Sequence, residues 1–178
     1  LARKAPCSVF VVPVYSRVHI QRYLVPIDCS DHARRALEVA LDWARLDASG
    51  NAQIVTQQVY SVGYGYHYTG TDFRDAGKQL EAVCDKKLEK FMADLDTAGS
   101  DIRSINTCSD DPARAVTDLA IAMKLDVIVI GSRGLSTTMA ALLGSTAERI
   151  LMASPIPVLI VKKKGETTRL LAALLGDG

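Results

Sequence analysis

The residues Asp126, Val127, Ile128, Val129 and Ile130, followed at once by Gly131, constrain the fold more than any other run in the chain. A strand with apolar side chains at successive positions has no face to give to water. It belongs in the middle of a parallel sheet covered by helices on both sides. The preceding chain fits that setting. Residues 23–27 (Tyr-Leu-Val-Pro-Ile) form a second short apolar strand ending at Asp28. Ala33, Leu37, Ala40, Leu41 and Ala44 then recur at helical spacing, with Arg34, Arg35, Glu38, Asp42 and Arg45 on the opposite side. Ser30 or Asp31 is placed to cap this helix, and residues 48–51 to end it.

The alternation continues. Residues 54–62 form a β-rich run, and Gly63 to Gly70 a loop with three glycines and several rings. A long helix carries Leu80, Val83, Cys84, Leu88, Phe91, Met92 and Leu95 as one stripe, with Gly99 placed to stop it. Residues 102–108 are less apolar than the other strands and predict an edge position. Pro112 opens the next helix, whose buried stripe is Val116, Leu119, Ala120 and Met123. A last helix over 145–153 leads to a strand over 158–161. The pattern βαβαβαβαβ predicts an open parallel α/β sheet with helices on both faces.

With 178 residues, 48% of them hydrophobic, the chain can bury one ordinary domain core. Its formal net charge of +1 gives no electrostatic footprint for nucleic acid or an anionic membrane. No apolar run reaches the roughly 18 residues of a membrane span. Cys7, Cys29, Cys84 and Cys108 form no C-x-x-C pair, and His19, His32 and His67 complete no metal set. A reduced, cytoplasmic compartment is the resulting expectation.

The segment from Gly131 to Thr146 carries the chemistry. Glycines at the carboxyl end of a strand let backbone N–H groups approach phosphate oxygens without an intervening side chain. Ser145 with Glu148 reads as a capping box that starts a helix at Ser145. A helix start offers unpaired N–H groups and partial positive charge to an anion. Ser136, Thr137, Ser145 and Thr146 add hydroxyls, and Arg133 a permanent charge. Asp28 ends the neighbouring apolar strand. In an open α/β sheet ligands sit at the carboxyl ends of strands whose connections diverge, so Asp28 is expected to face the glycine loop, where it can accept from a ligand donor or hold Mg²⁺.

These residues resemble the nucleotide motif of the universal stress protein family. The match is Gly131-x-x-Gly134, nine residues, then Gly144-Ser145. The likeness spans roughly residues 22–163, with Val25-Pro26-Ile27-Asp28 at the first strand and residues 155–161 at the last. The resemblance implies a Rossmann-like, adenine nucleotide alpha hydrolase-like domain over residues 21–163. Its five-stranded parallel sheet would have order 3-2-1-4-5 in chain numbering. It also implies ATP, with Mg²⁺, as cofactor, and homodimers formed by antiparallel pairing of last strands. Carried over by position, Pro26 and Asp28 flank the adenosine and Val59 contacts adenine. Ile130, Gly131, Arg133 and Gly134 line ribose and phosphates, and Gly144, Ser145 and Thr146 cap the phosphates. Two positions depart from the pattern. Many members have Gly or Ser where this chain has Cys29, and His where it has Gln58.

An internal repeat adds one expectation. Residues 5–12 (Ala-Pro-Cys-Ser-Val-Phe-Val-Val) read like residues 154–161 (Ser-Pro-Ile-Pro-Val-Leu-Ile-Val). Residues 1–13 thus resemble the last strand of a preceding copy, with residues 15–21 as linker. Residues 7–12 are expected to pair antiparallel with residues 158–161, imitating a partner's strand in a tandem-domain pseudo-dimer. The chain begins at Leu1 and not Met, which suggests a fragment or a processed chain. Residues 164–178 are read as a tail, either a short docking helix or a frayed terminus. No catalytic residue is assigned, because His32 begins a helix, His67 lies in a loop, and no P-loop is present. The leading expectation is a stress-response regulator that binds ATP. A slow ATPase or self-phosphorylating enzyme is the first competitor, and a ligand-free dimerisation module the second.

Overall fold

The computed structural model describes residues 2–3, 5–14, 16, 19–47, 49–62, 73–97, 99–135 and 143–163. Six strands and four helices follow in the order β1 (Val9–Val11), β2 (Arg22–Pro26), α1 (Asp31–Arg45), β3 (Gln53–Tyr60), α2 (Phe73–Met92), β4 (Asp101–Cys108), α3 (Pro112–Ala122), β5 (Val127–Gly131), α4 (Ser145–Ala153) and β6 (Val158–Val161). They form one sheet with strand order β1-β6-β5-β2-β3-β4. The five strands from β2 to β6 are parallel to their neighbours and keep the order 3-2-1-4-5. The count of five needs correcting to six. β1 joins the far edge antiparallel, placing Val9 opposite Ile160 and Val11 opposite Val158. This is the pairing expected from the internal repeat.

Strand alternation explains the two cores. Successive side chains of a strand point to opposite faces. Val127 and Val129 of β5, with Leu159 and Val161 of β6, pack under α1 and α2. Ile128, Ile130, Val158 and Ile160 pack under α3 and α4. β5 and β6 are buried throughout, as a sheet covered on both faces requires. The more polar β4 lies at the edge.

Local signals mark the helix starts better than the helix ends. Ser30 caps α1, its Oγ accepting from the Ala33 amide at 3.2 Å. Asp111 caps α3, with Pro112 in the first turn. α1 stops at Arg45, before residues 48–51, because Asp47 turns the chain early: its Oδ1 accepts from the Ser49 amide at 3.1 Å. α2 stops at Met92, short of Leu95 and Gly99, and Val83 of its expected stripe is 46% exposed. Among the described residues no helix is long and apolar enough to cross a membrane.

Asp126, just before β5, ties the sheet's centre together. It accepts from the Gln21 and Arg22 amides at 3.1 and 2.8 Å and from the Arg22 guanidinium at 2.8 Å. Burial alone would raise its pKa, but these donors prevail and hold it below the usual carboxylate range. A carboxylate depressed in the folded state contributes stability above its unfolded pKa and loses it as pH falls through the folded value. Asp126→Asn should therefore cost about 1–2 kcal/mol at pH 7. That difference should shrink as pH falls below about 4, where the carboxylate protonates first in the unfolded chain and, at lower pH, in the folded protein. Thermal melts of both proteins from pH 3 to 7 check this.

Candidate functional site

β2 and β5 are neighbours at the sheet's centre, and their outgoing connections part. The chain leaving β2 enters α1 on one face, and the chain leaving β5 reaches α4 on the other. Such divergence opens a crevice at the carboxyl ends of the strands. A cavity of about 290 Å³ lies there. Pro26, Asp28, Val59, Ile130, Gly131, Arg133, Gly134, Gly144, Ser145 and Thr146 all line it. These ten residues come from four segments of the chain. Ser136 and Thr137, the loop at 63–70 with His67, and the tail at 164–178 lie outside the described residues.

Space requires glycine at position 131, and a side chain at position 134 would have to displace the Asp28 carboxylate. A Cβ on Gly131 would lie 2.7 Å from the backbone carbon and oxygen of His32. One on Gly134 would lie 2.5 Å from Oδ2 of Asp28. Asp28 does face the loop, and it also holds it: Oδ2 accepts from the Leu135 amide at 3.0 Å, while Oδ1 accepts from the Ser30 amide at 3.0 Å. One carboxylate therefore fixes the glycine turn and the α1 start in mutual register. Two accepted bonds leave further lone pairs on this carboxylate.

α4 starts at Ser145 as expected, but its cap differs. Ser145 is the first helical residue, and the cap is Gly144, with no side-chain cap hydrogen bond. The capping box does not form, because Ser145 lies within the helix and not at its cap, and Glu148 pairs with Arg3 of the N-terminal segment. The consequence favours an anion. The first-turn amides have no intrahelical acceptor, no side chain among the described residues caps them, and Gly144, Ser145, Thr146 and Ala147 all line the cavity.

The structure adds Gln57, Pro112 and Val116 to the wall. In the sequence, Val116 and Pro112 read as a packing and a helix-start residue. Gln57 was findable from strand alternation, since it shares a strand face with Val55 and Val59.

The two departures from the family pattern touch each other. Gln58 Nε2 donates to Cys29 Sγ at 3.3 Å, and neither residue lines the cavity. Cys29 has φ of +62°, a left-handed conformation that favours glycine. Burial pushes its thiol pKa up, against the Gln58 hydrogen bond. It is therefore a thiol at neutral pH, packed against the α1 and α2 core, which fits a space-filling residue better than a redox centre.

An open, doubly wound α/β sheet with a glycine-lined cavity at its switch point defines a Rossmann-like protein. Within that class, the chain belongs to the universal stress protein family, whose model matches residues 19–162. It is 32% identical over 140 residues to a universal stress protein of Thermus aquaticus encoded 3′ of a QAH/OAS sulfhydrylase, covering 78% of this chain and 96% of that protein. The structure of MJ0577, a universal stress protein of Methanocaldococcus jannaschii, superposes with a TM-score of 0.68 at 25% identity, covering 83% of this chain and 99% of the other. A universal stress protein solved in complex with cAMP superposes with a TM-score of 0.56 at 26% identity, covering 80% and 97%.

Proposed function

We propose that the cavity binds ATP with Mg²⁺, and that the protein is a stress-response regulator whose conformation or association state follows the bound nucleotide. The observation that carries this reading is the α4 start: no side chain among the described residues caps it, and it opens on a cavity lined by glycines. Phosphates fit against Gly144, Ser145 and Thr146, with Arg133 adding charge. Gly131 and Gly134 let the backbone approach the ribose and phosphates. Pro26, Val59, Ile130 and Val116 offer an apolar slot for the base, and Asp28 stands beside it with lone pairs available for a ribose hydroxyl or Mg²⁺. The relative solved with cAMP supports a nucleotide as the ligand class.

Mg-ATP at about a hundredfold excess over its Kd should stabilise the protein by about 2.7 kcal/mol, a rise in Tm of roughly 5–10 °C. Gly134→Leu should fold yet show no such rise, because its side chain enters the space held by Asp28. An unchanged wild-type melting curve, or equal ATP affinity in Gly134→Leu, would overturn the reading. Phosphate release at the blank rate with ATP bound separates a regulator from a slow ATPase.

A further inference from the structure

We propose that Gln57 selects the base, its side-chain oxygen accepting the exocyclic amino group of adenine and rejecting a base with a carbonyl at that position. The inference rests on the nucleotide reading above and extends it to specificity. Gln57 sits on the β3 face that turns Val55 and Val59 toward α3, and it is 1% exposed. It lines the cavity beside Val59, Val116, Ile130 and Pro112, whose side chains carry no hydrogen-bond donor.

The amide orientation is fixed. Nε2 donates to Thr107 Oγ1 at 2.9 Å and to the Ala115 carbonyl at 3.2 Å. A carbonyl can only accept, so the nitrogen must take that side. Oε1 is left buried, with no hydrogen-bond partner among the described residues. A buried acceptor without a donor is costly and rare enough in native proteins to need an explanation. A ligand amino group supplies the missing donor in a cavity whose neighbouring walls are apolar. A base carbonyl there would set two acceptors against each other, which is discrimination by repulsion as well as by a lost bond.

ATP and ITP test this, because inosine carries a carbonyl oxygen where adenine carries the amino group. Calorimetric titration of the wild type should show ATP favoured by about tenfold or more. Gln57→Met, close in volume, should bring the two affinities within about threefold, by weakening ATP and by relieving the repulsion of ITP. Thr107→Val removes the same β3–β4 tie but leaves Ala115 to orient the amide, so it should keep the wild-type ratio. Urea melts of both variants establish that they are folded. A wild-type ratio near one, or an unchanged ratio in Gln57→Met, overturns the selector while nucleotide binding stands. A wild type that binds neither nucleotide overturns both.

Discussion

Gly131→Ala is expected to destabilise the protein by about 3 kcal/mol, the upper end of what one added methyl does in a packed interior. The new Cβ would lie 2.7 Å from the His32 carbonyl carbon and oxygen and 2.8 Å from the His32 Cβ. Neither side can yield cheaply. Gly131 ends β5, which is paired with β2 on one side and β6 on the other, and it sits opposite Val161. His32 lies in the first turn of α1, which is anchored by the Ser30 cap and by Ala33, Ala36 and Leu37 in the core. Backbone thus meets backbone, with no flexible side chain to swing away. Gly77→Ala is the control. It lies within α2, its added Cβ would meet nothing within 4 Å, and it should stabilise by about 0.5–1 kcal/mol through helix propensity. Urea denaturation of the three proteins reads both effects, and wild-type stability in Gly131→Ala would show that the β5–α1 contact is looser than described.

That contact also shows why the sheet core was legible in the sequence and the finer site was not. The burial of β5 follows from its composition, since four consecutive apolar residues leave few other places for a strand. The divergence of β2 and β5 follows from the strand–helix alternation, and with it the meeting of Asp28 with the glycine loop. What escaped depends on contacts distant in sequence. Glu148 has the spacing of a capping-box partner, but its carboxylate is taken by Arg3, 145 residues away, and nothing local to Ser145 reveals that. The sixth strand was visible only because residues 5–12 repeat residues 154–161. Gln57 illustrates the opposite failure. Its polarity inside a buried strand was on view, but its orientation is set by Thr107 and Ala115 on two other elements.

Deleting residues 1–12 is expected to lower stability by on the order of 3 kcal/mol and to make the protein self-associate. β6 would become a bare edge of four apolar residues, all at most 5% exposed while β1 covers them. The segment is held by more than its short ladder. Ser8 Oγ accepts from the Lys162 amide at 3.1 Å, and the Lys162 ammonium donates to the carbonyls of Ala5 at 2.6 Å and Arg3 at 3.2 Å. Arg3 pairs with Glu148, and Phe10 meets Trp43 edge-on with centroids 5.8 Å apart. Each net hydrogen bond contributes about 0.5–1.5 kcal/mol, and the aromatic pair a similar amount beyond its buried area. While this segment holds β6, antiparallel pairing of β6 between two copies has no open edge to use, so the homodimer implied by the family resemblance requires β1 to leave or another surface to serve. Light scattering should therefore give a larger mass for the deletion variant than for the full chain. A peptide of residues 2–12 added in trans should reverse the change. Equal masses and equal melting temperatures would mean that β1 rests on β6 without protecting it.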